Sequence, residues 1–156
     1  MIIYRNGNIL SSNTDILAHQ VNCQGVMGGG LAKEIRTWFP WCYFAYKNFC
    51  EDKPPYDLLG KVCWTEERCR TTGEGFIFAN IFGQLNYGRT PGTKYTSYAA
   101  LEGGLQEVHK YAKATAYSVS MPHGIGCGLG GGDWKVVSDM IERIFDDEVV
   151  CEIWRL

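Results

Sequence analysis

Met121-Pro122-His123-Gly124-Ile125-Gly126-Cys127-Gly128-Leu129-Gly130-Gly131-Gly132-Asp133-Trp134 carries six glycines in the nine positions from 124 to 132. The segment lies between an apolar, strand-like run and an amphipathic, helix-like one. Successive backbone N–H groups without side chains in the way form a concavity that wraps an anion such as a diphosphate. A second segment, Ala18-His19-Gln20-Val21-Asn22-Cys23-Gln24-Gly25-Val26-Met27-Gly28-Gly29-Gly30-Leu31-Ala32-Lys33, has the same design. There an apolar strand ends in polar side chains, and three glycines open an amphipathic helix. One glycine would satisfy a tight turn, whereas three in a row suit a ligand that approaches the backbone closely. The free N–H groups and the positive end of the helix dipole fit a phosphate or a polarised ribose hydroxyl. Two such loops after parallel-type strands meet at the carboxyl edge of an open α/β sheet, where such sheets bind ligands.

Outward from these loops the chain alternates strand-like and helix-like segments, the pattern of a sheet covered by helices. Strands are expected at Ile2–Arg5, Ile16–Val21, Lys61–Thr65, Gly75–Ile81, Ala116–Met121 and Val149–Trp154. Those near 16–21, 75–81 and 116–121 are almost continuously apolar, as strands covered on both faces are. Tyr98, Leu101, Leu105, Val108 and Ala112 recur at helical steps, as do Trp134, Val137, Ile141, Ile144 and Phe145. A third helix runs through Leu31, Ile35 and Trp38 to Pro40, and a fourth covers Trp41–Cys50. Gly103-Gly104 inside a helix costs about 1 kcal/mol per glycine, which points to close approach of a neighbouring element. Residues 86–97 form a long loop, and loops of that length are often functional. The expected fold is a three-layer α/β/α sandwich.

The 156 residues fit one domain over 1–156, and 46% apolar content supports a sizeable core. Fifteen basic against 17 acidic residues leave a net charge of -2, so no general nucleic-acid binding is expected. The start shows no secretion signal, and no apolar run is long enough to span a membrane. Seven cysteines without a Cys-x-x-Cys pair, and three scattered histidines, fit reduced thiols in a cytoplasm rather than a zinc site. Gly126-x-Gly128-x-x-Gly131 matches the dinucleotide fingerprint, but only 25 residues follow it, too few for a second mononucleotide half. Neither glycine cluster continues as a P-loop.

Gly7-Asn8-Ile9-Leu10, the run from His19 to Ala32 and the loop from Met121 to Trp134 resemble the macrodomain family, in particular its phage and yeast ADP-ribose 1''-phosphate phosphatase type. Weaker similarity spans Leu58–Lys61, Asn80–Gln84 and the C-terminal strand. The resemblance implies a macrodomain with a mixed central sheet that binds ADP-ribose or ADP-ribose 1''-phosphate without a metal or cofactor. By the same resemblance Asn8 contacts adenine with Ile9 beside it, Asn22 contacts the distal ribose, and Gly28, Gly29 and Gly30 line that ribose and the nearby phosphate. Ile125, Gly126, Cys127, Gly128, Leu129 and Gly130 form the diphosphate loop, and Gln20, Val21, Leu31 and Ala32 complete the substrate-binding set. His19 matches a histidine of the yeast phosphatase type that would serve as nucleophile or general acid/base, with Asn22 as its catalytic companion. The glycohydrolase branch that removes ADP-ribose from glutamate carries a lysine after the central strand and an aspartate in the diphosphate loop. This chain has Asn80-Ile81-Phe82-Gly83 and Gly130 in those places. The implied activity is hydrolysis of ADP-ribose 1''-phosphate, with a non-catalytic ADP-ribose reader and a glycohydrolase acting on modified protein or nucleic acid as alternatives.

Several of these residues also have simpler readings. Strand alternation would often bury a neutral His19. Asp133 suits a helix N-cap, and Cys127 suits a crowded loop as a small side chain rather than as an activated nucleophile. Trp38 and Trp134 fall on apolar helix faces and read as core. Lys33 reads as solvated. Tyr87 and Tyr95 lie in the long loop, positioned to cover a bound nucleotide.

Overall fold

Parallel pairing around Ile16–Asn22 organises the molecule. The computed structural model describes residues 1–69 and 71–156. Its strands are β1 (Ile2–Asn6), β2 (Ile16–Asn22), β3 (Val62–Arg68), β4 (Gly75–Gln84), β5 (Val119–Pro122) and β6 (Cys151–Arg155). They form one sheet in the order β1-β6-β5-β2-β4-β3. Every neighbouring pair is parallel except β3 with β4, so the sheet is mixed.

Side chains alternate across each strand, and the two sets enter different cores. Ile16 and Ala18 of β2, with Ala79 and Ile81 of β4, pack under α4 (Tyr98–Thr115) and α5 (Trp134–Ile144) through Leu101, Leu105, Val108, Val137 and Ile141. Leu17 and Val21, with Phe78 and Phe82, pack under α1 (Gly30–Trp38), α2 (Pro40–Glu51) and the short α3 (Pro55–Leu58) through Ile35, Cys42, Tyr46 and Leu58. Burying each such aliphatic or aromatic side chain contributes about 1.5–3 kcal/mol, which is why the core-facing positions of β2 and β4 are mostly apolar. The result is the three-layer α/β/α arrangement that the sequence predicts.

Helix starts follow the expected chemistry. Ser97 caps α4 by accepting from the Ala100 amide at 3.2 Å, and Asp133 caps α5 by accepting from the Lys135 amide at 2.9 Å. Gly104 faces Ile81 of β4, whose side chain occupies the place a Cβ would take. That close approach accounts for a glycine in mid-helix.

Some expectations change. The fifth strand does not begin at Ala116, because Ala116 has φ of 59° and terminates α4 as its left-handed C-cap. Trp38 is not core: it is 71% exposed. Pro40 disfavours helical geometry at Phe39, which adopts φ of -131° and swings its ring against Phe76 and Phe78, at centroid distances of 6.0 and 5.0 Å. Phe39 thereby takes the inward place that helical spacing assigns to Trp38. A 3₁₀ turn at Ile9–Ser11 and helix α3 were not anticipated; each is too short for a periodic signal.

Candidate functional site

β2 and β5 are neighbours, yet the chain leaving β2 enters α1 on one face and the chain leaving β5 enters α5 on the other. Diverging connections open a crevice at the carboxyl ends of the two strands, the switch point of an open sheet. Both glycine loops flank it. A Cβ on Gly29 would lie 2.7 Å from Leu129 Cδ1, so the two loops touch across the crevice.

Their backbone amides are unevenly used. In the second loop the Ile125 and Cys127 amides donate to Pro122 O (3.1 Å) and Gly124 O (2.8 Å). Those of Gly126, Gly128, Leu129 and Gly130 have no acceptor among the described residues. In the first loop no side chain caps α1 at Gly29, and the Gly30, Leu31 and Ala32 amides likewise lack acceptors. Orphaned amides at a helix start and in a glycine loop carry partial positive charge, and here the two loops that bear them are in contact.

Two cavities, or lobes, adjoin the loops, one walled by Gly29 and the other by the next residue, Gly30. One, of about 200 Å³, is walled by Gln20, Val21, Asn22, Gly28, Gly29, Ala32 and Leu129 together with Gln84, Tyr87 and Arg89. The other, of about 310 Å³, is walled by Asn8, Ile9, Gly30 and Leu31 together with Glu34, His123 and Trp154. A wider depression of about 830 Å³ lies at the opposite rim of the sheet, between Met1 and α5. Four carboxylates, Asp139, Glu142, Asp146 and Asp147, line it against Arg143 and the Met1 amine, and that acidic excess disfavours an anion.

Asn22 shapes the first lobe by closing the loop behind it. Its Oδ1 accepts from the Gln24 amide at 2.9 Å and the Val26 amide at 3.4 Å, while its Nδ2 donates to Val26 O at 2.7 Å. The buried Tyr46 hydroxyl donates to Asn22 O (2.6 Å) and Asn22 Oδ1 (3.0 Å). Gln20 ties the lobe to the long loop and to the second glycine loop. Its Nε2 donates to Gln84 Oε1 and Thr96 Oγ1, both at 2.8 Å, and the Thr96 hydroxyl donates to Gly126 O at 2.7 Å. In the second lobe Asn8 accepts from the Leu10 amide at 3.0 Å, which starts the 3₁₀ turn and buries Ile9 against the lobe's floor.

The structure moves His19 out of the reacting space. It lies on the α2 side of β2, is 2% exposed and lines neither lobe. Asn80 Nδ2 donates to Cys63 O (2.8 Å) and Thr65 Oγ1 (3.1 Å), so Asn80 Oδ1 faces the imidazole and His19 Nε2 carries the proton. Burial pushes the His19 pKa down to about 4, opposed only by the Asn80 bond. The catalytic expectation for His19 is therefore replaced by a structural role. This has a thermodynamic consequence: between about pH 4 and 6.5 the unfolded chain binds a proton that the folded chain refuses. His19 thus contributes full stability above pH 6.5 and loses roughly 3 kcal/mol of it as the pH falls toward 4. Urea melts of wild type and His19→Gln across that window check this: the difference between the two should shift with pH. A constant difference would contradict it.

Two side chains of the expected diphosphate loop turn toward the core. Ile125 is buried under α4 and α5 and anchors the loop. Cys127 packs against the same core, and burial pushes its thiol up to about 11, in keeping with a small side chain in a crowded loop. Asp133 is the N-cap described above, and Lys33 is exposed. Tyr95 does not cover the crevice, because its hydroxyl turns back to the Thr90 amide at 3.4 Å; Tyr87 does line the first lobe. Gln84, Arg89, His123 and Trp154 also line the crevice and were missed. The signal for Arg89 was its place in the long loop beside Tyr87. Trp154 gave none, since its strand reads simply as apolar.

The chain is 41% identical over 168 residues to an ADP-ribose 1''-phosphate phosphatase of Scheffersomyces stipitis, covering 92% of this chain and 94% of the yeast protein. It is 29% identical over 146 residues to a DNA ADP-ribosyl glycohydrolase of Mycobacterium tuberculosis, covering 93% of this chain but spanning only 39% of that protein's length. The solved macrodomain of Mycobacterium tuberculosis DarG superposes with a TM-score of 0.79 at 26% identity, covering 99% of this chain and 97% of that one. No family model matches. Fold and crevice together define an open α/β protein with a crevice at a sheet switch point between two glycine loops. The chain belongs to the macrodomain family.

Proposed function

We propose that the crevice holds ADP-ribose and its derivatives, and that the reaction is hydrolysis of ADP-ribose 1''-phosphate to ADP-ribose and inorganic phosphate. The observation that carries this reading is that the two glycine loops meet at Gly29 and Leu129 and that each bears amides without an acceptor among the described residues, Gly30–Ala32 on one and Gly126, Gly128, Leu129 and Gly130 on the other. The diphosphate lies on those amides, with adenine in the Asn8–Ile9 lobe and the distal ribose against Gln20, Asn22, Gly28 and Gly29. The similarity to the yeast phosphatase over nearly the whole of both chains supports the choice of substrate.

Water oxygen bonds to phosphorus as the bond from phosphorus to the C1'' oxygen breaks, and a proton from the water ends on the departing sugar oxygen. No histidine or carboxylate lines the distal lobe among the described residues. The protein therefore contributes orientation and fixed positive charge rather than a side-chain base. Asn22 acts as a positioning residue.

A second reading, a glycohydrolase that frees ADP-ribose from a modified nucleobase, is favoured by the mycobacterial relative's name. One panel separates the readings. ADP-ribose 1''-phosphate should yield phosphate and ADP-ribose in equal amounts, and His19→Gln should turn over at a rate within about threefold of wild type. ADP-ribose released from an ADP-ribosylated oligonucleotide, with no phosphate from the first substrate, would select the second reading. Binding of ADP-ribose without any product would leave a reader module.

A further inference from the structure

Arg89 is the single charged side chain among the described walls of the distal lobe, whose polar neighbours Gln20, Asn22, Gln84 and Tyr87 are neutral. One guanidinium nitrogen, Nη2, lies 3.3 Å from where a Cβ on Gly29 would sit, so the fork reaches over the glycine loop. It makes no ion pair with any described residue. A guanidinium presents five donors and no acceptor, and these walls supply no carboxylate to meet them. The opposite lobe holds Glu34 instead. The crevice is thus electrically polarised, acidic at one end and cationic at the other.

The neutral amides of the lobe are fixed. Gln84 Nε2 donates to Asn86 O at 2.8 Å, which turns Gln84 Oε1 toward Gln20 Nε2 and fixes the Gln20 amide, whose Oε1 is buried against Gly83 and Gly126. The exposed Arg89 fork is then the one charged group among the described walls that can single out an anion on a ligand held in the lobe. A phosphomonoester on a sugar supplies that anion.

From this geometry we infer that Arg89 is the specificity-determining residue of the distal lobe, selecting ligands that carry a phosphomonoester on the distal ribose over those that end in a free sugar. The inference rests on the ADP-ribose reading above and adds the discriminating group to it. Arg89 pairs with the terminal phosphate through two parallel N–H···O bonds, a geometry that a lysine does not reproduce.

The test compares wild type, Arg89→Gln and Arg89→Lys. ADP-ribose affinity is measured by calorimetry, and ADP-ribose 1''-phosphate affinity by its competition against a fluorescent ADP-ribose, read before turnover. Arg89→Gln should weaken the phosphorylated ligand about 30-fold and ADP-ribose less than threefold, with Arg89→Lys between the two, as loss of a charge-assisted pair predicts. Raising the salt concentration should erode the wild-type preference. Equal losses for both ligands would overturn the inference by assigning Arg89 to the diphosphate, and no loss for either would overturn it outright. A wild type that binds neither ligand would instead defeat the underlying ADP-ribose reading.

Discussion

Gly128→Glu should abolish ADP-ribose binding, a loss of at least about 1,000-fold, while leaving the fold intact. Nothing lies within 4 Å of the place where a Cβ on Gly128 would project, and its φ is not in the left-handed region, so the new side chain meets no neighbour and imposes no backbone strain. Its carboxylate would stand beside the orphaned amides of Gly128 and Leu129. There it occupies the donors meant for the ligand and repels a diphosphate. At about 6 Å and an effective dielectric near 20, each like charge costs about 3 kcal/mol. Two ligand charges therefore exceed the roughly 4 kcal/mol that a thousandfold loss requires. Calorimetry with ADP-ribose and a thermal melt check the two halves: unchanged affinity would mean the loop does not touch the ligand. Gly131 offers a contrast, since its φ of 74° and the Thr93 carbonyl packed where a Cβ would go make substitution there a folding lesion.

Asn22→Ala carries the second large effect, on stability and binding together. The substitution strips acceptors from the Gln24 and Val26 amides and a donor from Val26 O, while the Tyr46 hydroxyl keeps only the Asn22 carbonyl. Losing several partly buried hydrogen bonds at once should cost about 2–4 kcal/mol of stability. The loop from Cys23 to Gly29 is then no longer held against the crevice, and ADP-ribose affinity should fall more than about 100-fold. Urea denaturation and calorimetry on the same preparation measure both. If Asn22→Ala kept wild-type stability and affinity yet lost turnover, Asn22 would be catalytic rather than positional.

These two residues also show where the sequence is legible. Three adjacent glycines after an apolar strand, and six in nine residues after another, have few uses besides close approach of a ligand, so both loops and their shared rim were readable from composition and order. Helix faces and doubly covered strands were readable because burial of one face imposes a period. The direction of a side chain that fits both a core and a crevice was not readable. His19 and Gln20 are adjacent on one strand, and alternation sends them to opposite faces; only the bond from the imidazole to Asn80, itself held by Thr65 and Cys42, shows which face is closed. Trp38 and Phe39 pose the same ambiguity, resolved by the restraint that Pro40 places on its predecessor. Arg89 and Trp154 reach the crevice from a loop and from an edge-proximal strand, and no local pattern announces such convergence.

If two loops distant in sequence grip one ligand through their backbone amides, an NMR titration of the ¹⁵N-labelled protein with ADP-ribose will show it. Amide resonances of Gly30, Leu31 and Ala32 should move together with those of Gly126, Gly128 and Leu129, along curves described by one dissociation constant. Shifts confined to one of the two loops, or centred on the depression between Met1 and Asp147, would contradict a shared grip.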